Sequence, residues 1–221
     1  KDGSWIHGNT WNANEKLSVT GDVAWPNASF SMKTGNGVRS IAMNDLPTTV
    51  HTGTFPIGAN DPAYQFDRNP NAIRSQSLTF ALSLSPKKLA SPGCIGGEVG
   101  VMLRGVMLFD AFDALLRDAV AREVQDGWGG HPQSSGEYHY HGLPRDMKEV
   151  SVDTVVGFAF DGFPITGGKI AAHRYLTTED LDECHGIESE VLLDGKRATT
   201  YHYVLTEDFP YSVSCFRGKS A

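Results

Sequence analysis

Three of the eight histidines fall between Gly129 and Pro144, in the stretch Gly-Gly-His-Pro-Gln-Ser-Ser-Gly-Glu-Tyr-His-Tyr-His-Gly-Leu-Pro. Tyr138-His139-Tyr140-His141 alternates ring types with period two. On a strand, residues i and i+2 share a face, so His139 and His141 would stand side by side, roughly 7 Å apart at Cβ, with Tyr138 and Tyr140 on the other face. Two imidazoles over one point begin a metal site, and His131 can return to them through the turn that Gly136 permits. His202, in a second Tyr-His-Tyr, is the other candidate ligand. Imidazole suits zinc, copper, iron and nickel, with zinc or copper ranked first here. Three protein ligands and one open position would make the site catalytic, as in a metal-dependent hydrolase. Asp161, at a strand end, is a candidate general base or a carboxylate holding an imidazole. Glu137 is a second candidate acid–base.

The competing reading is structural: alternating Tyr and His also builds a hydrogen-bonded ring ladder across a sheet. It goes with a non-catalytic extracellular module that binds a metal or a glycan through exposed Tyr and Trp. His7, His51 and His173 have only structural readings. A Cys184–His185 nucleophile pair is weak, because sequence neighbours on a loop seldom form a spatial dyad. No Gly-x-Ser-x-Gly elbow, phosphate-binding loop, dinucleotide fingerprint or His-Glu-x-x-His helix occurs. Asp61, Asp67 and Asn71 could ligate calcium in the 61–71 loop, without EF-hand spacing.

These residues need a frame. The chain has 221 residues, 40% of them apolar and 20% charged, enough to bury a core. A net charge of −7 argues against nucleic acid as the main partner and favours cations, neutral sugars or small molecules. No apolar run has the ~20 residues of a membrane span. Lys1 rather than Met stands first, as after signal-peptide removal or at a chosen boundary. Cys94, Cys184 and Cys215 show no CxxC spacing. They fit one disulfide and one free thiol in an oxidising compartment, or three free thiols. Asn27-Ala28-Ser29 is a glycosylation sequon.

Residues 1–14 read as an irregular arm docking through Trp5 and Trp11. Alternation predicts strands at 17–20, 29–33, 38–43 and 76–82, with 52–75 an irregular, Pro-rich loop and 85–97 a second loop. The apolar run 98–109, broken at Arg104-Gly105, predicts two buried strands or one bent one. Phe112, Leu115, Leu116, Ala119 and Val120 form a helical stripe, predicting one well-defined helix from an Asp110 cap to Gly127. Beyond it come a buried strand at 152–160 and a helical turn near 178–183. A hairpin follows through Asp194-Gly195, then a last strand at 211–216. The pattern predicts a mainly β protein with one helix (α+β), an antiparallel sandwich or barrel-like single domain. Residues 1–49 pack as arm and strands on the body formed by 50–221, and no repeat period is visible.

The motifs from about Val50 to Gly218 resemble the YHYH domain family, named for the tetrapeptide at 138–141. They include Gly130-His131-Pro132, Gly136-Glu137 before the tetrapeptide, Asp161-Gly162-Phe163-Pro164, Asp182-Glu183-Cys184-His185-Gly186, Tyr201-His202-Tyr203 and Cys215-Phe216-Arg217-Gly218. The resemblance implies a secreted or periplasmic protein and no defined activity. Cys184 and Cys215 lie in matched motifs and Cys94 does not, which implies the disulfide Cys184–Cys215. The chain departs from the family at Trp128 (usually Cys), Arg104 (usually Asn) and Thr166 (usually Tyr). An Arg104 facing the histidines would oppose a cation there.

Overall fold

The computed structural model describes residues 3–220 and is mainly β with one short α-helix. Strands β1 (Phe30–Gly35), β2 (Val38–Met43) and β3 (Leu78–Ser83) form an antiparallel meander. Strand β4 (Lys88–Gly93) pairs with Phe216–Gly218, so the expected 85–97 loop holds a strand and the last strand begins later than predicted. Its side chains are nearly all exposed, which is why no alternation betrays it.

The main sheet has eight strands: β5 (Glu98–Met102), β6 (Val106–Phe109), β7 (Gly130–Pro132), β8 (Tyr138–Tyr140), β9 (Val155–Ala159), β10 (Pro164–Thr166), β11 (Gly186–Leu193) and β12 (Lys196–Val204). Their order is β11-β12-β10-β9-β5-β6-β8-β7, an open sheet rather than a closed barrel. Because strand side chains alternate, the two faces bury different clusters. One face gathers Met102, Val106, Leu108, Ile165 and the four tyrosines 138, 140, 201 and 203. The other places Val101, Met107 and Phe158 against Ile41, Met43 and Leu82 of the meander.

The sheet pairs the same way outward from its centre. Strands β5 and β9 meet antiparallel through Val101 and Phe158. On each side follow a hairpin partner (β6, β10), a parallel neighbour (β8, β12) and an antiparallel edge strand (β7, β11). An approximate two-fold therefore relates residues 98–141 to 155–204. The register equates Tyr138-His139-Tyr140 with Tyr201-His202-Tyr203. Gly105 and Gly162 are equivalent turn positions, at φ +79° and +90°.

A structural repeat thus underlies a chain in which no repeat period is visible. Tyr138 Oη donates to Asp126 at 2.8 Å and Tyr201 Oη to Asp182 at 2.9 Å, across separations of 12 and 19 residues. Insertions between the shared residues hide the period. Gly130 and Gly186 also correspond, and a Cβ on either would lie 2.3 Å from the Cζ of its tyrosine. The ring lies flat on the backbone there, which only glycine permits.

The predicted long helix is also corrected. Helix α1 covers only Ala119–Arg122, capped by Asp118. Upstream, Asp110 Oδ1 accepts from Phe112 N, and Asp113 Oδ1 accepts from Leu115 N and Arg117 N. Short carboxylates thus capture the amides a helix would need. Leu116 adopts φ +59°, and Leu115 and Leu116 are 70% and 81% exposed, so the first part of the apolar stripe faces solvent and only Ala119 and Val120 turn inward. The described part of the arm, residues 3–14, docks through its tryptophans as expected: Trp5 is buried and donates Nε1–H to Ala121 O, and Trp11 Nε1–H donates to Tyr211 Oη.

The candidate metal centre

Strand β8 sends Tyr138 and Tyr140 into the core, while His139 and His141 project from the opposite face. Strand β7 runs antiparallel to it with His131 directly across from His139. The hairpin between them turns at Gly136, φ +90°. Local alternation thus supplies two imidazoles and cross-strand register the third. All three rings are buried, at 5% exposure or less. Their ligand nitrogens lie within 4.8 Å of one another, and among the described residues no other group of three His, Cys, Asp or Glu side chains converges this way.

The tautomers follow from the acceptors. His141 Nδ1 is 2.6 Å from Asp110 O, and His139 Nδ1 is 3.2 Å from Glu137 O. A carbonyl only accepts, so each Nδ1 carries the hydrogen in the neutral ring and each Nε2 presents a lone pair. Those two Nε2 atoms face each other at 3.1 Å. Neither ring nitrogen of His131 has a hydrogen-bond partner. Phe109 stacks on His139 with centroids 4.0 Å apart and fixes that ring.

A fourth donor comes from a residue not singled out in the sequence. Glu123 Oε2 lies 3.4 Å from both His131 Nε2 and His141 Nε2, buried and without a hydrogen bond. Its only sequence signal is an acid close upstream of His131, and reading the segment as a long helix placed it off the buried face. It reaches the site because α1 ends at Arg122 and Glu123 turns extended, with ψ 147°.

Burial sets the electrostatics. It holds His131 and His139 well below the ordinary histidine pKa, each helped by neighbouring imidazoles, and lowers His141 as well. Burial, with Asp113 and Asp67 nearby, pushes Glu123 up to about 7. At neutral pH the rings are uncharged donors. Four lone-pair donors aimed at one region, with few hydrogens to share, form a repulsive cluster that a cation would relieve. The donor set therefore fits a transition metal. A cleft of about 600 Å³ opens over it, lined also by Asp67, Asn71, Phe112 and Gln133.

The other predicted residues lie elsewhere. His202 occupies the position equivalent to His139 in the second half, with Nδ1 2.8 Å from Thr166 Oγ1 and Nε2 2.8 Å from Ser189 Oγ. The register places Ile187 and Val204 where the first half has His131 and His141, so His202 stands as a satisfied buried histidine. Asp161 is not brought to the triad: Oδ2 accepts from Tyr203 Oη at 2.5 Å and from Gly218 N, and Oδ1 accepts from Phe163 N. Glu137 contributes its backbone carbonyl to His139, while its carboxylate accepts from Gln133. Arg104 points away from the histidines, bidentate to Asp146 at 3.0 and 2.8 Å and beside Tyr140 Oη, so it does not oppose a cation.

The 61–71 carboxylates hold the chain together. Asp61 accepts from Thr20 and Ala63, and Asp67 from Asn69 and Val124. Cys184 is bonded to Cys215, with Cα atoms 4.6 Å apart, and Cys94 is free, as the motifs implied. That removes the Cys184 nucleophile. His185 Nε2 instead lies 2.9 Å from Thr206 Oγ1. No helix among the described residues is long and apolar enough to cross a membrane.

Comparison with curated proteins and with solved structures finds no match. A family model described as "YHYH protein" matches residues 79–178, a shorter span than the motif resemblance. That segment, just under half of the chain, holds the histidine hairpin, its stacking Phe109 and Glu123, and it is similar to the YHYH family.

Proposed function

We propose that the protein is a secreted or periplasmic metal-binding protein in which His131, His139, His141 and Glu123 hold zinc or copper. The observation that carries this reading is the pair of Nε2 lone pairs facing each other at 3.1 Å while each Nδ1 is committed to a carbonyl. The two-fold supplies an internal control. A purely structural Tyr/His ladder would treat the two Tyr-His-Tyr strands alike. Both keep the tyrosine-to-aspartate bond, yet only the first half carries three converging imidazoles and an acid.

A bound ion would supply Lewis acidity in an open cleft, the chemistry of a metal-dependent hydrolase acting on a small molecule or glycan. The chain's own residues orient the donors: Asp110 O and Glu137 O fix the ring tautomers, and Phe109 shields His139 from water. The disulfide supports the extracytoplasmic location. A non-catalytic binding module is favoured by one observation, the exposed Phe112, Leu116 and Phe209 beside the cleft. The test is elemental analysis and calorimetric titration with zinc and copper on protein purified without a histidine tag. Stoichiometric binding that disappears in His139→Ala/His141→Ala supports the reading. Absence of binding, or full binding by the double variant, overturns it.

A further inference from the structure

A second concavity lies behind the histidine hairpin. It has a volume of about 260 Å³, and Trp11, Lys16, Arg145, Lys148, Glu207 and Tyr211 are among its walls. Its charge is the reverse of the molecule's. In a chain of net charge −7 it gathers three cations against one carboxylate, and Lys148 already engages that carboxylate, Glu207, at 2.8 Å.

Neither of the other two cations has a carboxylate bonded to it, although Asp118, Glu123 and Asp67 lie near enough to act on Lys16. Arg145 makes no side-chain hydrogen bond or ion pair among the described residues. The acid acting on it, Asp126, is buried and already accepts from Tyr138, Gly53, Gly130 and Trp128. Lys16 is 7% exposed and gives hydrogens to two neutral oxygens, Val120 O and Gln125 Oε1. Burial and the Arg145 charge push its amine down to about 7. Two neighbouring cations in a concave site, with neutral or occupied partners, cost the fold energy unless an anion sits between them. The indole of Trp11 and the phenol of Tyr211 add flat apolar walls.

We infer that this cavity binds a small oxyanion, a carboxylate or phosphate group held by Arg145 with Lys16 behind it. Guanidinium planarity suits two parallel bonds to either head group. The volume is below the usual ~300–1,000 Å³ of drug-sized sites, so the ligand is small. The cavity shares no lining residue with the cleft over the histidines, although the Lys16 charge is felt by Glu123, His131 and His141.

The test is titration of the full chain with inorganic phosphate and, separately, benzoate. Binding is followed by tryptophan fluorescence and by the rise in melting temperature. The expected result is saturable binding of at least one of them, weakened about tenfold or more by Arg145→Gln, as loss of a charge-assisted pair predicts. Phosphate binding alone identifies a phosphate site, and benzoate binding alone a carboxylate site. Arg145 is exposed, so its variant should fold, and unchanged metal content in Arg145→Gln keeps this result distinct from the histidine centre. If neither anion saturates, or if wild type and Arg145→Gln bind equally, the inference is overturned.

Discussion

His131 and Glu123 meet at 3.4 Å in a buried site where neither acting atom has a hydrogen bond. They arrive from different elements, an edge strand and the end of a one-turn helix, and His141 is equally close to the same carboxylate oxygen. Unsatisfied buried polar groups cost about 1–3 kcal/mol each. This arrangement is therefore costly when empty and favourable when filled.

Metal addition should stabilise the fold through mass action by about 2.7 kcal/mol at a hundredfold excess over the Kd, read as a rise in melting temperature. His131→Ala and Glu123→Gln should each weaken binding by at least the ~10–100-fold seen when supporting groups alone are lost. Neither should unfold the metal-free protein: His131→Ala removes two unsatisfied buried nitrogens, and Glu123→Gln puts an amide that can donate to the imidazoles in place of an unsatisfied carboxylate. Burial lowers the three histidine pKa values, so Glu123, raised to about 7, takes a proton first, and full metal release on acidification should fall below the ordinary histidine midpoint of ~6.5. Metal retention measured against pH checks this, and release centred at or above 6.5 would contradict it.

The two tyrosine-to-aspartate bonds should be energetically alike. Tyr138→Phe and Tyr201→Phe each leave an aspartate short of one donor and should each cost about 1–3 kcal/mol in urea unfolding. Tyr201→Phe should leave metal affinity unchanged. A tenfold loss of affinity on that change would mean that the second half takes part in the site.

Asp45 provides a pH test of stability. Burial pushes its carboxyl up to about 9, and Oδ2 has no partner, while Oδ1 accepts from Met107 N. The folded chain therefore keeps a proton that the unfolded chain releases near the ordinary aspartate value of 3.8. The associated stability is complete below that value and is lost as pH rises toward 9. Asp45→Asn keeps an acceptor, cannot ionise, and suits the local φ of +56°. It should raise the melting temperature at pH 8 and change it little at pH 4. A variant less stable than wild type at pH 8 would refute the assignment.

The Cys184–Cys215 bridge spans 31 residues and closes the second half of the main sheet. By chain entropy it is worth about 3–4 kcal/mol. Cys184→Ser/Cys215→Ser should lose that much in denaturant unfolding and retain metal binding, because the bridge lies outside the histidine half. Loss of binding by a variant that remains folded would show that the halves are coupled.

What the sequence determined by itself was local. Period two at 138–141 put the histidines on one face and the tyrosines on the other, since successive strand side chains alternate whatever the tertiary context. The Asn36-Gly37 and Asp194-Gly195 turns and the break at Arg104-Gly105 were legible for the same reason: backbone conformation at a turn is set by a few adjacent residues. Tertiary structure decided everything that needed a distant partner. Asp161 and His202 carry the residue types of a site, but Tyr203, Thr166 and Ser189 saturate them. Glu123 joins the histidines because Asp110 and Asp113 take amides from the predicted helix and shorten it. The two-fold is invisible along the chain because β-pairing constrains registers between strands, not the lengths of the segments between them.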